Sequence, residues 1–280
     1  ILGMTGMMDS TWVVVKWSKD SQRLYFTHAT RGSKRVQLMV TDLLGSAPQL
    51  IAKDTSDTWV ELKHGGRMPP NWAVARAGQD LIWFSQRDGW AHLYRFGPDG
   101  TLKNQITKGA FAVDEIKHVD DAGGHVYFTG WGGPGDEFPY YARLYRVNLD
   151  GSGLTLLTPE AAHHQVTFSP SGRYFMDSYS TVTEPPVTVL RATDGRTVLT
   201  LETADVSRLL QVGWRFPEPF RTKARDGVTD IYGIMFKPSH FDSTKQYPII
   251  ENIYPGPQVG SVRTWGFDAS RSNDPQAVAE

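Results

Sequence analysis

The feature that most constrains the fold is an internal repeat of paired strands over the first three quarters of the chain. Each unit has an aromatic-rich strand, a variable loop and a second strand centred on Leu or Val. The first strands are Leu24–Thr27, Ile82–Ser85, Val126–Thr129 and Tyr174–Asp177, which begin 58, 44 and 48 residues apart. The second strands centre on Leu38, Leu93, Leu144 and Val189, at spacings of 55, 51 and 45 residues. Asp-Gly pairs at 99–100, 150–151 and 194–195 end the last three units, and Asp-Gly supplies the positive φ angles of tight hairpins.

A period of this length with paired strands predicts β-propeller blades. The units alternate with period 2 and lack helical stripes, which excludes a solenoid of helix pairs. A β-sandwich, which has evenly spaced strands without a blade-length repeat, is the alternative for this region. Four units are few for a closed propeller, which usually has about 4–8 blades. We therefore expect the sequence to be a piece of a longer protein.

The pattern changes near residue 203, and we predict two domains: a partial propeller at 1–202 and a second domain at 203–280. The second domain is predicted to hold a short helix over 203–211 with Thr203 as its cap, and a hairpin over 220–237. An apolar strand, Tyr247–Tyr254, is predicted to follow and to end at a Pro-Gly-Pro loop. A last helix is predicted to begin at Asp274 and Pro275. This order predicts the opening of an α/β sheet after a mostly β first domain.

Composition excludes several classes of function. The chain has 29 basic and 30 acidic side chains, so no net basic surface predicts nucleic-acid binding. It has no Cys, which excludes disulfides, thiolate catalysis and Cys-based metal sites. No apolar run approaches the roughly 18 residues of a membrane span. We predict no cofactor and no metal, because no H-E-x-x-H or phosphate-loop motif occurs and His163 and His164 alternate across a strand.

Three runs carry a resemblance to a known family. They are F-S-Q-R-D-G-W-A-H-L-Y at 84–94, F-S-P-S-G-R-Y-F-M-D-S-Y-S at 168–180, and residues 238–262 around K-Q-Y-P-I-I-E-N-I-Y-P-G-P-Q. In this order and spacing, the chain resembles the dipeptidyl peptidase IV branch of the prolyl oligopeptidase family of serine peptidases. The resemblance implies an eight-bladed propeller, here about four blades, joined to an α/β-hydrolase domain. It also implies peptide substrates that lose N-terminal dipeptides, often with Pro or Ala second. A homodimer of the intact enzyme and a periplasmic or secreted location are further implications.

Acyl transfer by this chemistry needs a Ser nucleophile, a His base, an orienting Asp and oxyanion donors. No G-x-S-x-G nucleophile elbow occurs in the 280 residues, so we predict that this polypeptide alone hydrolyses nothing. The resemblance assigns Tyr254 to the oxyanion hole. It also places the loop His64–Pro70 near the substrate, where Arg67 could meet a peptide carbonyl or be a surface arginine. The acidic pair Asp136 and Glu137 is read as a solvated loop rather than an amine-binding site.

Two other functions stay open at this point. One is a non-catalytic propeller that acts as a peptide-binding or scaffold module. The other is a related peptidase with different cleavage, such as an acylaminoacyl peptidase or an endopeptidase.

Overall fold

Antiparallel sheets dominate the computed structural model, which describes residues 14–30, 32–61, 71–133, 138–253, 261–262, 264–271 and 274–280. Within these ranges, four sheets have four strands each, and each strand pairs with the next along the chain. The first sheet contains β1 (Val15–Trp17), β2 (Arg23–Ala29), β3 (Arg35–Asp42) and β4 (Gln49–Thr55). The second contains β5 (Trp72–Ala75), β6 (Asp80–Ser85), β7 (His92–Phe96) and β8 (Leu102–Gln105). The third contains β9 (Ala112–Asp120), β10 (His125–Trp131), β11 (Arg143–Asn148) and β12 (Thr155–Leu156), and the fourth β13 (His163–Phe168), β14 (Tyr174–Ser180), β15 (Val187–Ala192) and β16 (Thr197–Thr203).

The four sheets confirm the propeller-like reading of the repeat. The predicted aromatic-rich strands are β2, β6, β10 and β14, and the predicted partners are β3, β7, β11 and β15. These are the second and third strands of each sheet, so the repeat marks the middle of each four-stranded meander. Consecutive meanders of four strands are typical of propeller blades and not of the two interleaved sheets of a sandwich.

Aromatic side chains form the core between neighbouring sheets. One apolar cluster joins Tyr25 and Leu38 of the first sheet to Trp72 and Trp83 of the second. Another joins the second sheet to the third, with Phe128 fully buried at its centre. Fully burying such a side chain stabilises the fold by about 1.5–3 kcal/mol. The aromatic residues of the repeat therefore hold successive blades together.

Two of the predicted Asp-Gly turns lie directly against the preceding sheet. Gly100 has φ +83°, and a Cβ there would lie 2.9 Å from the carbonyl oxygen of Leu50 in β4. Gly151 has φ +90°, and a Cβ there would lie 3.0 Å from the carbonyl oxygen of Gln105 in β8. Both positions need glycine for two reasons: the left-handed backbone and the close approach of another strand.

The chain forms two compact units, Ile1–Pro159 and Glu160–Glu280. The second unit holds the fourth sheet, a short helix α1 (Ser207–Gln211), the hairpin of β17 (Glu218–Lys223) and β18 (Asp230–Met235), and α2 (Pro275–Ala279). The hairpin and α2 were predicted, and the Asp274 side chain caps α2 by accepting a hydrogen bond from the Ala277 amide at 3.3 Å. The domain boundary at 202/203 stays a prediction.

Two local predictions in the second unit were wrong. The helix begins at Ser207 and not at Thr203, because Thr203 is still paired with Val187 in the sheet and Asp205 accepts the Ser207 amide at 2.8 Å. The predicted strand at 247–254 is described over 247–253 and has no strand pairing there. Its Ile249 is 88% exposed. A buried strand needs neighbours on its edges and layers on its faces, and the described residues supply neither to this segment. The start of an α/β-hydrolase domain therefore stays a prediction.

α1 and α2 have five residues each. No helix in the described ranges has the length and apolar character needed to cross a membrane.

Candidate functional site

The predicted site residues Tyr254 and Arg67, and the pair Asp136 and Glu137, lie outside the described residues. The structure does describe the residues that flank the Arg67 segment, Glu61 on one side and Asn71 on the other. In the antiparallel second sheet, the connection that enters β5 and the loop between β6 and β7 lie at the same end. This end of the second sheet, which we call the loop edge, is the candidate site.

A single carboxylate organises the loop edge. Asp54 of β4 accepts hydrogen bonds from Trp83 Nε1 at 2.7 Å, Ser85 Oγ at 2.9 Å and an Arg87 Nη at 2.8 Å. The Arg87 guanidinium also lies over the Tyr94 ring, 4.7 Å from its centre. Because Asp54 belongs to the first sheet and its donors to the second, the network ties the two sheets together where the β6–β7 loop begins.

Both flanks of the Arg67 segment are fixed by hydrogen bonds. Glu61 is 3% exposed and accepts a hydrogen bond from the Gln86 side chain in the β6–β7 loop. Asn71 donates to the carbonyl oxygen of Asp114 at 3.0 Å and accepts from the amide of Ile116 at 3.0 Å, both in β9. Glu61 therefore contacts the second sheet, and Asn71 lies at the junction of the second sheet with the third.

The loop edge carries a carboxylate that stays ionised at neutral pH. Burial would raise the pKa of Asp88, but hydrogen bonds from the Trp90 amide and the Gln105 side chain outweigh burial and hold the pKa below its ordinary value. The Trp90 ring is 46% exposed beside it. The loop edge therefore combines an anionic group with an exposed aromatic side chain.

His92 has a structural role. It is fully buried, with Nδ1 3.1 Å from Thr107 Oγ1 and Nε2 3.0 Å from the carbonyl oxygen of Gly109. Burial lowers the pKa of His92, so the ring is neutral and donates through Nε2. It therefore holds the β8–β9 connection against β7.

The second and third sheets share one more hydrogen-bonding arrangement, which the sequence analysis missed. The Leu93 amide donates to Thr107 Oγ1 at 2.9 Å, and the Leu144 amide donates to Thr158 Oγ1 at the same distance. Arg143 takes the place of His92 and donates to the carbonyl oxygen of Pro159 at 2.6 Å. Each Thr follows its Leu by the same interval in the sequence, so an alignment of the repeat units carried this signal.

A cavity of about 610 Å³ lies at the opposite end of the second and third sheets. Its lining includes Arg76, Arg95, Asp121, His125 and Asn148. Arg95 binds the fully buried Asp80 at 2.8 Å, and Asp121 binds Lys19 at 2.7 Å. Two of the charged residues that line the cavity are therefore paired with other side chains of the protein.

Among the described residues, one group has the side chains and spacing of a metal site: Glu160, His164 and Asp177. Arg191 occupies the place of a cation there, 2.6 Å from Glu160 Oε1 and 2.9 Å from Asp177 Oδ2. Both nitrogens of His164 already have hydrogen-bond partners. The group is therefore a buried ion-pair network. His163 is only half-buried, as expected for neighbours that alternate across a strand.

Comparison with known proteins decides the family. The model of the dipeptidyl peptidase IV (DPP IV) N-terminal region matches residues 2–186. The chain belongs to the dipeptidyl peptidase IV family. Its relatives in that family include a probable dipeptidyl-aminopeptidase B of Emericella nidulans, 32% identical over 262 residues that cover 89% of this chain and 28% of the relative. Dipeptidyl peptidase 4 of Arthroderma otae is 28% identical over 203 residues, or 69% of this chain and 25% of the relative.

Solved structures agree on the fold. Dipeptidyl peptidase 4 of Porphyromonas gingivalis matches with a TM-score of 0.74 and 22% identity, over 91% of this chain and 35% of that one. A putative dipeptidyl aminopeptidase IV of Bacteroides ovatus matches with a TM-score of 0.74 and 25% identity, over 96% of this chain and 39% of that one. The chain thus spans between about a quarter and two fifths of the length of these relatives.

Proposed function

We propose that the intact protein is a serine-type peptidase that releases N-terminal dipeptides, with Pro or Ala as the second residue, from peptide substrates. The observation that carries the proposal is the family match over residues 2–186, together with the names of the relatives as dipeptidyl peptidases. The intact enzyme is proposed to work without a cofactor, as a homodimer, in the periplasm or outside the cell.

In this proposal, the described sheets frame the substrate cavity and the loop edge faces the peptide. The support is that Glu61 and Asn71, the described residues on either side of the Arg67 segment, are both held by hydrogen bonds. Arg67 is proposed to donate to a peptide carbonyl. Tyr254 is proposed to donate its hydroxyl to the oxyanion of the tetrahedral intermediate, where one donor contributes about 3–4 kcal/mol.

The test uses the natural full-length protein and five substrates. We expect release of p-nitroaniline from Gly-Pro-p-nitroanilide and Ala-Ala-p-nitroanilide. We expect none from N-acetyl-Gly-Pro-p-nitroanilide, because dipeptide release requires a free amino terminus. Cleavage of N-acetyl-Ala-p-nitroanilide would favour an acylaminoacyl peptidase, and cleavage within a longer blocked peptide would favour an endopeptidase. Inactivity on all of these with retained peptide binding would support the scaffold alternative.

Tyr254→Phe is expected to lower kcat on Gly-Pro-p-nitroanilide by at least about tenfold with little change in KM, because the lost donor acts in the transition state. Tyr247→Phe is the matched control, since the Tyr247 hydroxyl accepts the Asp242 amide at 2.9 Å and lies on the same segment. An unchanged kcat in Tyr254→Phe would refute the oxyanion role.

A further inference from the structure

The fourth sheet ends in a strand with an open edge. β16 (Thr197–Thr203) is the last strand of its sheet and pairs with β15 on one side. All seven of its residues are exposed, including Val198 at 44%, Leu199 at 55% and Leu201 at 47%. Among the edge strands of the four-stranded sheets that the structure describes, no other strand longer than three residues is exposed at every position. Such an edge presents backbone N–H and C=O groups to which another strand can pair.

The last strands of the other three sheets have protections that β16 lacks. β12 has two residues, and β8 has four, one of which is Lys103. β4 contains Lys53 and two buried residues, Ile51 and Ala52. The sequence of β16, T-V-L-T-L-E-T, has neither Lys nor Pro and has one charged residue, Glu202. Register shifts do not set β16 apart, because β4 and β8 also pair with a shift. Since short length and Lys are the devices that keep edge strands from pairing, β16 is the last strand at which strand addition is least opposed.

We propose that β16 pairs with the β16 of a second copy of the protein, antiparallel and about a two-fold axis. The inference rests on the homodimer of the proposed function and names its interface. The register that pairs all seven residues is centred on Thr200, which then faces Thr200 of the second copy. This symmetric pairing uses the same strand twice and closes at two subunits. It joins two four-stranded sheets into one continuous sheet by strand addition.

The sequence of β16 is complementary to itself in this register. Leu199 faces Leu201 of the second copy, and Val198 faces Glu202. Apolar pairs and Thr–Thr pairs directly opposite each other contribute about 0.2–1 kcal/mol each. The two Glu202 carboxylates do not face each other, because they lie about 13 Å apart along the strand direction. At that distance salt screens the repulsion between exposed charges. The strand therefore pairs with a copy of itself without a like-charge contact.

An apolar row leads to this edge from within the sheet. Met176 of β14 is paired with Leu190 of β15, and Leu190 is paired with Leu199 of β16. Met176 is 44% exposed at the start of this row. In the proposed dimer, Leu201 of the second copy extends the row, and the symmetric row of the second copy meets it from the other side. A second copy therefore covers apolar surface as well as the free backbone groups.

The experiment places a charge on the two-fold axis of the natural full-length protein. In Thr200→Lys two ammonium groups face each other, and in Thr200→Glu two carboxylates do. We expect each variant to raise the dimer Kd by at least about tenfold in sedimentation velocity over a concentration series, because like charges oppose each other. An equimolar mixture of the two variants should dimerise again, because Lys then faces Glu. Leu102→Lys is the matched control, since Leu102 of β8 is 48% exposed, and it should keep the wild-type Kd.

A wild type that is monomeric at all concentrations would overturn the proposal. A dimer Kd that neither Thr200 variant changes would also overturn it, and the homodimer would then use another surface. Release of p-nitroaniline from Gly-Pro-p-nitroanilide is measured on the same samples. That activity tests the peptidase proposal separately from the interface.

Amide hydrogen exchange of the wild type gives an answer even if the Thr200 variants do not fold. Peptides within residues 197–203 should exchange at least about tenfold more slowly above the dimer Kd than below it. Peptides that cover β8 should not respond to protein concentration. Protection of residues 197–203 that is the same in monomer and dimer would contradict the proposal, because another part of the full-length chain would then cover this edge.

Discussion

At the scale of single residues, Asp80 is a buried carboxylate in the first unit with two cationic partners. Its side chain has no exposed surface and lies 2.8 Å from Arg95 and 2.6 Å from Lys103. Burial raises the pKa of Asp80, but the hydrogen bonds and charges of Arg95 and Lys103 outweigh burial and lower the pKa below its ordinary value. The group therefore binds its proton more weakly in the folded state than in the unfolded state.

Asp80→Asn is expected to destabilise the protein by about 1–3 kcal/mol at neutral pH, because two partly buried cations lose their counter-charge. A carboxylate with a lowered pKa stabilises the fold above its unfolded value of about 4, and this stability is lost as pH falls through the folded value. The difference between wild type and Asp80→Asn should therefore be largest near pH 7 and should vanish in acid. Urea unfolding followed by tryptophan fluorescence measures it.

Asp99→Asn is the control for this prediction. Asp99 lies in an exposed turn of the same sheet, where it accepts hydrogen bonds from Thr101 at 2.8 and 3.0 Å. Contacts in an exposed turn contribute little to stability, because water competes for the carboxylate. Equal losses for the two variants would show that the buried ion cluster at Asp80 adds nothing.

At the scale of elements, the turns between β7 and β8 and between β11 and β12 act as contacts between sheets. Gly100 and Gly151 each bring a hairpin end against the backbone of the previous sheet. The same Asp-Gly pair that makes a tight turn therefore also sets the distance between blades. A repeat unit that has glycine at this position of the turn can therefore bring its hairpin close to the preceding sheet.

Gly100→Ala is expected to cost at least about 1–2 kcal/mol more stability than Gly45→Ala. Both glycines have a positive φ near +80°, so both variants carry the same backbone strain. At Gly45 a Cβ meets nothing within 4 Å, whereas at Gly100 it meets the Leu50 carbonyl oxygen at 2.9 Å. Thermal unfolding of the two variants separates the cost of backbone strain from the cost of the contact between sheets. Equal losses of stability in Gly100→Ala and Gly45→Ala would contradict a role of Gly100 in the spacing of the sheets.

At the scale of the whole molecule, the described sheets provide a frame and the catalytic groups are proposed to come from elsewhere in the intact protein. The chain spans 28% of the Emericella nidulans relative, and no G-x-S-x-G motif occurs in its 280 residues. We propose that the role of this frame is to hold the loop edge toward the substrate.

The polypeptide of residues 1–280, purified alone, is expected to release no p-nitroaniline from Gly-Pro-p-nitroanilide, because it contains no nucleophile elbow. The measurement is the rate against a blank, with the intact mass of the sample checked. Hydrolysis that a serine-reactive phosphonate abolishes, in a sample free of contaminating peptidases, would contradict this expectation.

The sequence alone determined the repeat, the strands at its centre, the Asp-Gly turns and the family. These features depend on local alternation, turn chemistry and aromatic spacing, which are written in neighbouring residues. Only the tertiary structure showed that Asp54 joins Trp83, Ser85 and Arg87, and that His164 meets Asp177. Such contacts bring together residues far apart in the chain, and no local pattern encodes them. The segment at 247–253 is an example in which the local pattern was not sufficient. Its apolar sequence predicts a strand, but a strand also needs neighbouring strands, which only the folded chain can supply.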